Sequence, residues 1–149
     1  MSHARQAIRE AAATLLTGLA TTGSRVHQSR LPYVTLGDAE LPALLVVTED
    51  EDVEPVTSDT PAVQARHVSL VVSGLAKIGT NLDDTLDTIA AEVEAQLGEI
   101  LTVSLKKLPA VLTSLKAAID GNLETDVGRI DLTYRVAYFT AAGAPGTLL

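Results

Sequence analysis

From Arg66 to Ile78 the chain alternates with a period of two. Val68, Leu70, Val72, Gly74, Ala76 and Ile78 all lack a polar side chain, and the residues between them are mixed. That alternation is the mark of a strand with one dry face. The run is too long for a minor edge piece, and a helix signal follows it at once. The stretch therefore predicts a sheet with a helix laid across it.

The helix signal begins after Gly79, with Thr80 or Asn81 as its cap. Asp83 and Asp84 fall in the first turn, where the positive end of the helix dipole favours carboxylates. Leu82, Leu86, Ile89, Val93 and Leu97 then recur at helical steps on one stripe. The remaining faces carry Asp83, Asp84, Asp87, Glu92, Glu94 and Glu99, with no Lys or Arg between Gly79 and Val103.

Upstream, Ser2 is a candidate cap for a helix running to about Thr21, with Ala4, Ile8, Ala11, Leu15 and Leu19 on its apolar stripe and Leu15 and Leu19 as anchors. Gly23 stands where a left-handed C-cap is expected. Arg5 and Arg9 before an alanine-rich run imitate a secretory signal, but Glu10, Thr14 and Thr17 interrupt it, and an amphipathic helix fits better. Arg25 to Arg30 is a short strand candidate, followed by a loop at Pro32, Gly37 and Asp38. The continuous apolar run Leu41 to Thr48 predicts a strand buried on both faces, with Pro42 at its first position. Glu49, Asp50, Glu51, Asp52 and Glu54 then place five carboxylates in six residues. With no basic residue interleaved, this run is expected to form a solvated, mobile loop.

Downstream, Lys106 and Lys107 with Pro109 point to a short helical turn. Val111 to Ile119 fits strand or helix by pattern alone, and Asp120-Gly121 is a turn signal. Arg129 to Phe139 alternates cleanly and predicts another strand, and a hairpin with it makes Val111 to Ile119 a strand as well. Residues 1–140 are expected to form a single domain and 141–149 a flexible tail ending in Leu148 and Leu149. The expected fold class is α+β: one mostly antiparallel, mixed sheet of four to five strands with two main helices packed on it.

Composition narrows the function classes. There is no cysteine, which removes disulfides, thiolate metal sites and thiol nucleophiles. A net charge of −8 argues against a duplex-binding face, and one Phe, three Tyr and no Trp leave little for base stacking. No apolar run approaches membrane-spanning length. His3, His27 and His67 show no metal-ligand spacing, the acidic run lacks the spaced ligands and turn glycine of an EF-hand, and no nucleophile elbow or phosphate loop occurs. No catalytic, cofactor-binding or metal-binding residue is expected.

Several phrases, in order, resemble one family. They are His3-Ala-Arg-Gln-Ala-Ile-Arg9, Leu19-Ala-Thr-Thr-Gly-Ser-Arg-Val-His-Gln-Ser-Arg30 and Leu41-Pro-Ala-Leu-Leu-Val-Val47. Leu82-Asp-Asp-Thr-Leu-Asp-Thr-Ile-Ala-Ala-Glu-Val-Glu94 and Gly128-Arg-Ile-Asp-Leu-Thr-Tyr-Arg-Val-Ala-Tyr138 continue the series. Together they resemble the tail terminator proteins of long-tailed bacteriophages, the minor tail protein U type. The stretch Thr102 to Ile119 departs most from that pattern. The resemblance implies a non-enzymatic virion protein, assembled in the host cytoplasm as a homo-oligomeric ring, commonly a hexamer. Such a ring caps the head-proximal end of the tail tube, stops its growth and offers a surface to the head–tail connector, with DNA only passing through its lumen. The implied partners are thus further copies of the chain, the tube protein and the connector protein.

A ring of one chain needs two unlike faces that fit each other. The candidate interface residues are basic Arg25 and Arg30, the acidic Glu49, Asp50, Glu51, Asp52 and Glu54, Glu92 and Glu94 on the acidic helix, and the closing Leu148 and Leu149. Two other readings compete: a different head–tail joining protein, such as a completion or connector subunit, and a small cytoplasmic ligand-binding domain. A sealed apolar pocket would favour the last.

Overall fold

A computed structural model describes residues 2–28, 40–120 and 127–149. The elements are α1 (Ala4–Leu15), β1 (Val26–His27), β2 (Ala43–Pro55), β3 (Val63–Lys77), α2 (Leu82–Leu97), β4 (Ile100–Val103), β5 (Lys106–Asp120) and β6 (Val127–Ala141). The strands form one mixed sheet in the order β1-β2-β3-β6-β5-β4. β1 and β2 run parallel, and every other neighbouring pair is antiparallel. The α+β class stands, but the sheet has six strands rather than four to five. The short β4, at the edge beyond β5, is the strand that was not expected.

β3 is the spine. It pairs along its whole length with β6, from Val63↔Ala141 to Lys77↔Val127, and on its other side with β2. Val68, Leu70, Val72 and Ala76 point into the main core beside Ile130, Leu132, Tyr134, Val136 and Tyr138 of β6. α2 lies over these two strands with the expected stripe buried: Leu82, Leu86, Ile89, Val93 and Leu97. Gly74 and Gly128 allow that approach. A Cβ at Gly74 would come within 2.7 Å of Ile89, and one at Gly128 within 2.5 Å of Leu82.

α1 is shorter than expected. It ends at Leu15, followed by a turn in which Gly18, at φ 97°, donates to the Gly23 carbonyl, 2.9 Å. Its cap is His3, whose ring accepts from the Arg5 amide at 3.1 Å, and not Ser2. The buried stripe begins at Ala4 and Ile8 as expected but continues through Ala12 and Leu16, one position past Ala11 and Leu15. Ile8 and Leu16 are therefore the fully buried anchors, while Leu15 and Leu19 are only partly buried against the core. α1 packs against both β2 and β4, from opposite parts of the sheet, so the sheet curls around it.

The acidic run is the main departure. Glu49 to Glu54 is not a mobile loop: it forms the outer half of β2, in register with β3 from Glu51↔Val68 to Pro55↔Gln64. A bulge between Thr48 and Glu51 resets the register and turns Glu51 to the core side. The inner half, Ala43 to Val46, is buried on both faces as expected. The β2–β3 connection is only residues 56–62, closed by the Val56 amide on the Val63 carbonyl, 2.8 Å.

Lys106 and Lys107 lie in β5, not in a helical turn. Ser104 and Leu105, at φ 49° and 67°, make a tight turn from β4, and the expected β5–β6 hairpin follows. Residues 141–149, expected as a flexible tail, fold back on the domain. The Ala4 amide donates to the Pro145 carbonyl at 2.8 Å and the Leu149 amide to the Phe139 carbonyl at 3.0 Å, while Leu148 packs on the main core. Of the expected strand at Arg25–Arg30, Val26 and His27 are observed. Arg30, the loop at Pro32, Gly37 and Asp38, and Gly121 of the Asp120-Gly121 turn lie outside the described residues.

Candidate functional site

The residues singled out in the sequence divide into internal braces and open surface. Arg25 is a brace. Its Nε donates to the Pro42 carbonyl at 2.7 Å and its Nη2 to the Thr21 carbonyl at 3.1 Å, fixing the entry to β1 against the start of β2. Glu92 faces the other way along the same connection and accepts hydrogen bonds from the Thr21 amide, 2.9 Å, and hydroxyl. Leu148 is half-buried on its own core, while Leu149 is exposed.

Glu51 is the centre of a buried polar cluster. Its Oε2 lies 2.9 Å from Arg66 Nη1, and its Oε1 accepts from the Tyr138 hydroxyl. Arg66 also donates to Thr140 Oγ1 at 2.8 Å and to Gln64 Oε1 at 2.9 Å. The two charged side chains are 6% and 11% exposed. Burial and the Glu51 carboxylate push the Tyr138 hydroxyl well above the usual tyrosine range, so it stays a donor. Each partner satisfies another, so the cluster locks three strands together. Asp52 points to the opposite face, where its carboxylate is 3.8 Å from Arg135. Asp50 and Glu54 are exposed, and the Glu49 carbonyl accepts from Arg5. Among the described residues, no group of three or more His, Cys, Asp or Glu is placed to hold a metal.

Glu94 opens onto a surface groove of about 650 Å³, between the C-terminal end of α2 and β5. Gly98, Glu99, Pro109, Val111 and Leu112 line it with Tyr134. Tyr134 is 1% exposed and its hydroxyl has no partner among the described residues. Burial, with Glu94 adding to it, pushes that hydroxyl up to about 12. Two shallower grooves lie between α1 and β4 and beside Leu41 and Lys77. None of the three is a sealed apolar pocket. Sequence reasoning found the acidic flank of this groove but missed the β5 wall, because its exposure depends on how far β4 extends.

The fold is a small α+β domain with internal polar braces and open surface grooves. No family model matches the chain, and no curated protein does. Among solved structures, it is similar to a chain of the "Virion of native gene transfer agent (GTA) particle". That likeness has a TM-score of 0.55 at 21% identity and covers 91% of this chain and 93% of that one. At such an identity the likeness is one of fold. No helix among the described residues is long and apolar enough to cross a membrane.

Proposed function

We propose that this chain is a structural virion protein of a phage-like particle, acting as a tail terminator. In this reading, copies of the chain form a collar on the head-proximal end of the tail tube, stop the tube from growing and offer a surface to the head connector. It catalyses no reaction and needs no cofactor. The observation that carries the reading is the near end-to-end likeness to a chain of a gene transfer agent virion. The ordered phrases of the sequence point the same way.

The physical character of the chain supports the role. Its net charge of −8 suits a conduit, because carboxylates repel phosphate and keep a lumen from gripping DNA. The test is the phenotype of particles made without this chain. Overlong, headless tails are the expected result. Tails of normal length that fail to join heads would replace termination by completion, and normal infectious particles would remove the virion role altogether.

A further inference from the structure

β5 carries an open flank. β4 pairs with it only from Lys106 to Pro109, and the Ala110 amide reaches the Glu99 carbonyl at 2.9 Å. Beyond that point the edge of β5 has no strand beside it among the described residues. A bulge between Leu112 and Ser114 sets Leu112, Leu115, Ala117 and Ile119 on the helix side of the sheet, opposite Tyr134, Leu132, Ile130 and Gly128 of β6. The β6 residues lie buried under α2, but Leu115 and Ile119 are 46% and 68% exposed. An apolar edge left open in this way is an association surface unless something covers it.

The opposite wall is acidic. Glu94 lines the groove, and Asp87 and Asp83, seven and eleven residues earlier, fall on the same stripe of α2. The buried ring of Tyr134 sits beneath the end of the groove nearest Glu94. The occupant this groove fits is basic and apolar.

The chain carries such a feature at the β4–β5 turn. Leu105 is 97% exposed at the tip, held out by the left-handed backbone of Ser104 and Leu105, and Lys106 and Lys107 beside it are exposed. At about 3.3 Å per residue, Lys106 and Leu115 stand roughly 30 Å apart along β5, so the tip cannot cover Leu115 and Ile119 of its own chain. We infer that the β4–β5 tip of one copy docks on the open β5 face beside α2 of the next, Leu105 against Leu115 and Ile119, and Lys106 and Lys107 against Asp83, Asp87 and Glu94. Donor and acceptor surfaces are different, so the contact is head-to-tail, the kind that builds a ring when the rotation between copies closes. The inference rests on the self-association part of the terminator reading and on nothing else in it.

The absence of cysteine makes the test clean. Chains carrying Leu105→Cys and Leu115→Cys are mixed and oxidised, with the exposed loop variant Ser58→Cys replacing Leu115→Cys as control. The expected result is a disulfide-linked pair at least tenfold above the control. In sedimentation, Lys106→Glu with Lys107→Glu should weaken association at least tenfold with an unchanged circular dichroism spectrum, and Asp87→Lys with Glu94→Lys in the partner copy should restore it. Association unaffected by the lysine reversals, or cross-linking no better than the control, overturns the contact while leaving a ring built otherwise. A chain that stays monomeric at every concentration also overturns it, and the particle phenotype then judges the virion role separately.

Discussion

Glu51 and Asp50 are neighbours in the same acidic run with opposite fates. Glu51 is held by Arg66 and Tyr138, and Asp50 is exposed. Glu51→Ala leaves the Arg66 guanidinium buried beside an empty partner site and should cost about 3–5 kcal/mol in urea unfolding. Asp50→Ala should change stability by less than about 0.5 kcal/mol. Tyr134 gives a pH signature. An unfolded tyrosine ionises near pH 10, whereas burial raises this one to about 12. Its share of stability is intact below pH 10 and is lost as pH rises from 10 towards 12, because only the unfolded chain gives up the proton there. Tyr134→Phe should lessen that alkaline decline in a series of denaturation curves, leaving the part due to Tyr138, without loss of stability at pH 7, since the Tyr134 hydroxyl has no partner to lose.

α2 approaches its two strands closely at Gly74 and Gly128. Gly74→Ala drives a methyl into Ile89, with Ile130 at 3.1 Å behind it, so α2 must lift. The expected loss is about 1–3 kcal/mol by chemical unfolding. Gly128→Ala should cost less, because the atoms it meets are the mobile end of Leu82. These elements were legible in the sequence because their signals are local. The stripe from Leu82 to Leu97 and the alternations in β3 and β6 need no distant partner to be read. The outer half of β2 was not legible, because the charges that order it lie elsewhere: Arg66 is 15 residues from Glu51, and Tyr138 is 87 away. The β4–β5 turn hid for another reason. Its two left-handed residues are Ser104 and Leu105, where glycine or asparagine is the usual sign.

In the assembled molecule the segment after Ala141 closes one end of the core. Truncation after Ala141 removes the Leu148 contact and the backbone bonds to Ala4 and Phe139. The chain should still fold, with stability reduced by about 1–3 kcal/mol in thermal melts and faster hydrogen exchange at the start of α1. Of the candidate interface, the carboxylates of α2 could be read from one stretch of sequence. Their setting could not, because it takes the register of β5 on β6 and the short reach of β4 to reveal an open wall facing them. The same register shows which candidates are already engaged, Arg25, Glu51 and Glu92 being held within their own chain.

The hydrogen bond from Ala4 to Pro145 brings residues near the two extremes of the chain to one spot, with α1 starting where β6 has just turned back. The backbone is therefore nearly circular in space. A short linker across that gap, with a fresh opening cut in the exposed 56–62 connection, would preserve every strand pairing described above. Both new ends would then emerge at the tip of the β2–β3 arm, away from the α2–β5 groove.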